Sequence, residues 1–336
     1  MLPTSVYFII TRNCNYSCPF CIRKNISDIS QNIMDYKKAI SVFEAISDTI
    51  PNVLPVITGG EPFLHTDWEL FVQKALSIFG KAVITSNGSF CEEIASRLYP
   101  YLCNGLTLQM SLDGLKDTHD KLRGKNAYDK VLNNLSLLSS VSSHINISTT
   151  VTPENLQSIV ELGSVLNNYK FRHWKVSPVQ VEDPLNDRII DYREWNFFVD
   201  ELLKHCKYSV LIQKFFDFEL YDKFLATKHN TKNVPIYNCG IGKYKIYISP
   251  TFNVYPCSCM DDSIGNVLEE DFLSIYKKLN ILGDIKVDKK SPCFTCKYLS
   301  ICNGGCPGYS KKVFNKINFG DVRCPIVSQY IKDEKH

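Results

Sequence analysis

The chain has no apolar run approaching the length of a membrane span, and its N-terminus lacks a basic segment followed by an apolar one. Those absences exclude a membrane-spanning role and a secretory signal, and they predict a cytoplasmic protein. Net charge is also scarce. Against 35 acidic residues stand 38 Lys and Arg, leaving +3, and the lysines are scattered. Nothing here offers the basic footprint that bulk nucleic-acid or membrane binding requires. Cysteine, in contrast, is plentiful, with 14 in 336 residues. In a reducing compartment so many thiols argue for metal ligation over disulfides. A hydrophobic content of 44% is enough for a proper core, and the length allows one large domain or two ordinary ones.

The cysteines are unevenly spread. Cys14, Cys18 and Cys21 lie in the segment CNYSCPFC, just after the strand-like run Ser5 to Thr11. Eight more lie between Cys239 and Cys324. The remaining Cys91, Cys103 and Cys206 are expected to be small buried hydrophobes. Three closely spaced thiolates can hold three irons of a 4Fe–4S cluster and leave the fourth iron without a protein ligand. The competing reading is zinc, although a closed zinc site wants four ligands, usually as two separated pairs.

The first 200 or so residues alternate strand-like and helical patterns. Strands are expected at 6–11, 54–58, 82–86, 106–111, 145–151 and 171–177. Helices are expected at 35–47, 68–79, 92–99, 126–139, 154–167 and 192–207. Six β-then-α units in series imply an α/β fold with a parallel sheet. Six are too few for a closed eightfold barrel, so a partial (β/α)6 TIM-type barrel is expected. Asp35, Asp67 and Pro153 read as helix-start signals. In such folds the chemistry gathers where strands end and loops begin. GGEP (Gly59, Gly60, Glu61, Pro62) follows the second strand, TSNG (Thr85 to Gly88) the third and SLDG (Ser111 to Gly114) the fourth. Each also reads as a plain turn. Arg123, in THDKLRG, suits carboxylate recognition or a surface salt bridge equally. His119 and Asp120 read as capping or surface residues. Asn155 reads as a ligand-pocket residue or a helix start.

Taken together, CNYSCPFC and GGEP resemble the radical S-adenosylmethionine (SAM) superfamily, whose loop is CxxxCxΦC with an aromatic Φ, here Phe20. The resemblance implies that Cys14, Cys18 and Cys21 hold a 4Fe–4S cluster whose open iron chelates SAM. It implies that Gly59, Gly60, Glu61 and Pro62 bind the SAM amino group. Ser86, Asn87, Ser111, Asp113 and Arg123 would then serve the ribose and the methionine carboxylate.

The C-terminal third carries Cys239, Cys257 and Cys259, then C-x2-C-x5-C-x3-C-x17-C from Cys293 through Cys296, Cys302 and Cys306 to Cys324. The spacing alone is a metal signature, and zinc ribbons share its CxxC pair. Eight cysteines would also fill two 4Fe–4S clusters. The stretch 243–257 reads as a β-hairpin around Pro250 to Asn253. This module resembles the SPASM domain. The resemblance implies one auxiliary cluster on Cys293, Cys296, Cys302 and Cys324, and another on Cys239, Cys257 and Cys306. The fourth position of the second is either Cys259 or open. The family usually places a Gly ahead of the Cys257 equivalent with four residues between them, and here that residue is Phe252, which leaves the turn type open. The expected boundaries are 1–207 for the barrel, 208–235 for a connector and 236–336 for the SPASM module.

The resemblance implies an oxidoreductase that generates a 5′-deoxyadenosyl radical, most simply to cross-link or oxidise a ribosomally made peptide. A flavodoxin- or ferredoxin-type protein would donate the electron. No leader-binding segment precedes the first strand, so a separate leader-binding protein is an expected partner. The alternatives are sulfatase maturation, oxidation of a small-molecule alcohol or sugar, and a non-catalytic zinc scaffold. Sulfatase maturation is weakened because Ser258 stands where an Asp is expected, although Asp261 and Asp262 are near. The aromatic stretch 197–224 would either line a peptide groove or pack between domains.

Overall fold

A computed structural model describes residues 5–22, 30–185, 188–227, 245–283 and 285–334. Six strands, β1 (Ser5–Thr11), β2 (Leu54–Gly59), β3 (Ala82–Ser86), β4 (Leu106–Ser111), β5 (Ile145–Val151) and β6 (His173–Pro178), pair in sequence order and all in parallel. Between them run helices α1 (Tyr36–Thr49), α2 (Trp68–Phe79), α3 (Glu92–Leu102), α4 (Lys116–Arg123), α5 (Ala127–Ser139) and α6 (Leu156–Leu166). Helix α7 (Tyr192–His205) and the short β7 (Val210–Leu211) follow β6. This is the expected mixed α/β architecture, a parallel sheet consistent with a partial barrel. In β4, β5 and β6 every second residue is buried against the helices, and the intervening ones face the inside.

Beyond α8 (Phe218–Thr227), the C-terminal region contributes β8 (Lys245–Ile248), β9 (Asn253–Tyr255), β10 (Gly265–Asn266) and helices α9 (Phe272–Gly283), α10 (Leu299–Cys302), α11 (Pro307–Phe314) and α12 (Pro325–Glu334). The hairpin does not stand apart. β8 pairs in parallel with β1, and the ten strands form one sheet ordered β10-β9-β8-β1-β2-β3-β4-β5-β6-β7. Part of the expected connector, 228–235, and Cys239 lie outside the described residues.

Phe252 closes the β8–β9 turn with φ of 67°, the left-handed conformation that a glycine would adopt freely. The turn geometry is therefore kept. Burial of the phenyl ring, 2% exposed within the main core, offsets the strain.

Several local expectations change. Asp35 does cap α1, accepting from the Lys38 N–H at 3.2 Å. Asp67 sits at the start of α2 but makes no capping bond. Pro153 lies in the turn before α6, which starts at Leu156. Cys91 and Cys103 flank the two ends of α3 and are exposed, not buried. Cys206 is half-buried, its thiol donating to the Leu202 carbonyl at 3.2 Å.

The aromatic stretch does not line a groove. Phe215, Phe216 and Tyr221 are buried, and Phe215 stacks on Trp195 at 4.7 Å. Phe218 lies 4.9 Å from Tyr298, so these rings pack α7 and α8 against the C-terminal module.

Candidate active site

The cysteine loop follows β1 and is gripped from three sides. From below, the Gly60 N–H donates to the Thr11 carbonyl at 2.7 Å and the Glu61 N–H to that of Asn13 at 2.8 Å. The backbones meet so closely that a Cβ on Gly60 would fall 2.2 Å from the Asn13 oxygen. The paired glycines thus bring two loops together. Gly60→Ala is therefore expected to displace the loop and to lower the thermal unfolding temperature of the chain.

From the β3 side, Asn87 donates from Nδ2 to Asn15 Oδ1 at 2.8 Å and also bonds the Cys14 side chain. Ser86 and the Asn87 N–H both donate to the Glu61 carboxylate, at 2.9 and 2.8 Å. Glu61 is buried, and desolvation pushes its carboxyl up to about 7 despite these bonds. In this arrangement Ser86 and Asn87 serve Glu61 and the loop.

On the third side, the guanidinium of Arg123 lies 5.7 Å from the Phe20 ring, and its Nε donates to Asp113 at 2.5 Å. Asp113 is wholly buried and Arg123 nearly so, which settles Arg123 as an internal residue of the site and not a surface bridge. Burial works against the Arg123 charge, but Asp113 and the thiols of Cys18 and Cys21 outweigh it and raise its pKa. Asp113 is fully engaged. Its carboxylate also accepts from the Thr150 N–H at 2.8 Å, and its carbonyl accepts from Asn155 Nδ2 at 3.0 Å. It orients Arg123. Ser111 ends β4 on the inner face.

Asn155 is buried and ties Thr152, Thr150 and Asp113 together. Asp120 accepts from the N–H groups of Asn126 and Tyr128, at 2.9 and 2.8 Å, as a capping residue should. His119 is a correction, because it is wholly buried. Its Nδ1 accepts from the Asp113 N–H at 2.9 Å, and its Nε2 has no partner among the described residues. Desolvation lowers its pKa from 6.5 to about 4. The unfolded imidazole takes up a proton below 6.5 and the folded one only near 4. Its contribution to stability is thus full above pH 6.5 and is lost between 6.5 and 4, by up to about 3 kcal/mol. Urea titrations across that range should show this slope in the wild type and a shallower one in His119→Asn.

The thiols of Cys14 and Cys18 are pushed up, first by burial, with Arg123 partly offsetting this at Cys18. The three thiols influence one another, and the Tyr16 N–H points at Cys14 Sγ from 3.5 Å. The thiols thus share one electrostatic neighbourhood, although among the described residues no three Cys, His, Asp or Glu side chains stand close enough to hold a metal ion as they are placed. Beside the loop a cleft of about 690 Å³ opens towards the ends of β5 and β6, walled in part by Phe20, Cys21, Thr152, Gln180 and Arg188.

Gln180 joins this cleft to the second cysteine group, accepting from Cys259 Sγ at 3.1 Å. The Cys259 N–H in turn points at Cys257 Sγ from 3.4 Å. Gly308 lets Cys259 come close, because a Cβ there would fall 2.9 Å from the Cys259 Cβ. Cys293, Cys296, Cys302 and Cys324 form the other group. Burial and the neighbouring thiols push Cys293 up to about 11 and Cys324 to about 12. Between the groups Asp321 accepts from the Cys306 N–H at 3.0 Å and from Arg323 at 2.8 Å, and both charged side chains are buried. The Arg323 guanidinium lies 4.3 Å from the Tyr309 ring and 4.6 Å from that of Phe215. Sequence reasoning missed this pair. Its only signal was DVRC, two opposite charges at i and i+2 ahead of a cysteine.

Residues 8–165, a little under half of the chain, match the family model of the Radical SAM superfamily. The chain is 21% identical to an AdoMet-dependent heme synthase of Oleidesulfovibrio alaskensis over 88% of its own length and 80% of that protein. It is 24% identical to the sporulation killing factor maturation protein SkfB of Bacillus subtilis, over 86% and 68%. Its fold superposes on Streptococcus suis SuiB bound to the precursor peptide SuiA with a TM-score of 0.75 at 18% identity, covering 97% of this chain and 76% of the other. The matched residues include the cysteine loop and the GGEP turn. No helix among the described residues is long and apolar enough to cross a membrane.

Proposed function

We propose that this radical SAM protein is a maturase that oxidatively modifies or cross-links a ribosomally made peptide. When bound, a 4Fe–4S cluster and SAM supply one-electron cleavage of the sulfonium and hence a hydrogen-abstracting 5′-deoxyadenosyl radical. Cys14, Cys18 and Cys21 would hold that cluster, and loading it would release their thiol protons. Glu61 is the candidate for the SAM amino group. Arg123, aimed by Asp113, is the candidate for its carboxylate, with Phe20 and Ser111 alongside. Two auxiliary 4Fe–4S clusters are proposed, one on Cys293, Cys296, Cys302 and Cys324, the other on Cys239, Cys257, Cys306 and Cys259. They would take up the electron left on the substrate or position it.

The observation that carries the reading is the cysteine loop clamped by Gly60, Asn15–Asn87 and Arg123 at the mouth of a cleft that reaches Cys259 through Gln180. Similarity to SkfB and to the fold of peptide-bound SuiB supports a peptide substrate. A tetrapyrrole carboxylate is the second reading, supported by the heme synthase relative. Sulfatase maturation stands as an alternative, supported by 22% identity to a cysteine-type anaerobic sulfatase-maturating enzyme of Clostridium novyi, although Asp261 and Asp262 are exposed and Asp262 pairs with Lys311 at 3.2 Å. The electron donor is proposed to be a flavodoxin- or ferredoxin-type protein.

Anaerobically reconstituted protein should be brown with about twelve irons per chain. It should change the mass of a peptide encoded beside its gene on coexpression. Colourless protein holding zinc, or an unmodified peptide alongside a modified tetrapyrrole, would overturn the reading.

A further inference from the structure

Asp113 follows β4 in the SLDG turn, and each of its polar groups is taken by a neighbour. Its carbonyl accepts from Asn155 Nδ2, one carboxylate oxygen accepts from the Thr150 N–H, and the other accepts from Arg123 Nε. Its main-chain N–H goes to a side chain, donating to Nδ1 of His119 at 2.9 Å. His119 and Arg123 stand four residues apart on α4 and so share one face of that helix. The helix therefore grips Asp113 at two points, His119 on the main chain and Arg123 on the carboxylate. Two residues further on the turn is pinned again, where the Leu115 N–H donates to Ser158 Oγ at 2.8 Å.

Two groups in this assembly stay open. Because His119 Nδ1 accepts, the neutral ring carries its proton on Nε2. That N–H is buried and has no acceptor among the described residues. A side chain selected for stability alone would leave no donor stranded. Arg123 has five N–H donors, and among the described residues only the one on Nε is bonded. Its side chain is 11% exposed, so water has little access to the outer fork, and its Cζ lies 5.7 Å from the centre of the Phe20 ring. A guanidinium drawn this far out of water with its fork unused suits a planar anion held by two parallel hydrogen bonds.

We infer that His119 is a positioning residue: by holding the Asp113 main chain it fixes the carboxylate that aims Arg123, and so it sets how tightly Arg123 receives an anion. The role needs an acceptor at the Nδ1 position, because the Asp113 N–H has no other partner. Taking that anion to be the SAM carboxylate rests on the reading proposed above.

Equilibrium binding of SAM and of decarboxylated SAM to the anaerobically reconstituted full chain, at neutral pH, tests the inference. His119→Leu should bind SAM roughly tenfold or more weakly than wild type and bind decarboxylated SAM unchanged. His119→Asn, whose Oδ1 can stand where Nδ1 stands, should bind both within about threefold of wild type. Arg123→Gln should lose the same discrimination, and adding His119→Leu to it should cost no more, because the two act through one contact. Should His119→Leu not fold, His119→Gln carries the same comparison, since its amide oxygen reaches one bond too far. Equal weakening for both ligands would reduce His119 to a structural residue and overturn the inference. Additive losses, or wild-type affinity in His119→Leu, would uncouple it from Arg123 and do the same. So would a wild type that does not distinguish the two ligands, since no carboxylate would then reach Arg123. The expected split in a protein that modifies no peptide would leave the inference standing and remove the proposed function.

Discussion

Replacing Cys14, Cys18 and Cys21 together by Ala is expected to abolish 5′-deoxyadenosine formation while leaving about eight of about twelve irons per chain. Each thiolate would take a separate iron, so removing all three removes the cluster and not merely its affinity. The fold should survive. The loop is anchored by main-chain bonds from Gly60 and Glu61 and by the Asn15–Asn87 contact, none of which uses a sulfur. Cys14 is exposed and Cys21 half-buried, so truncating them opens little internal space. Iron analysis and chromatography of SAM cleavage products under dithionite check this. Unchanged iron, or continued cleavage, would sink the assignment of the loop.

The second large effect is on stability. Arg323→Ala would leave the Asp321 carboxylate buried without its cation, and loss of about 3–5 kcal/mol is expected. The guanidinium also fills the space between Tyr309 and Phe215, so its removal loosens the contact between the barrel side and the cysteine module. Because Asp321 also accepts from the Cys306 N–H, auxiliary iron should fall with stability. Asp321→Asn combined with Arg323→Met keeps that acceptor, removes both charges and should recover much of the loss. Chemical denaturation followed by circular dichroism measures it. A loss under about 1 kcal/mol for Arg323→Ala would mean the pair is solvated in solution.

The strands and most helices were legible because their patterns are local. Ala82–Ser86, Leu106–Ser111, Ile145–Val151 and Trp68–Phe79 fall where apolar runs and periodicity put them. Helix α4 was not, because KDTHDKLR has almost no apolar residue and takes its helical form next to the Asp113–Arg123 pair. His119 looked like a surface group for the same reason, and only the Asp113 N–H explains its burial. The loop cysteines and GGEP could be read as one site, but not how they meet. That depends on a 2.2 Å clash that only glycine avoids. The β8–β1 pairing joins residues about 240 positions apart, beyond any sequence window.

That last pairing has a consequence for how the molecule is made. Strand β1 is made well before residues 245–248, yet one of its two flanks waits for them. Until then a row of main-chain donors and acceptors is bare beside the cysteine loop. A fragment ending before β8 should therefore self-associate through that flank.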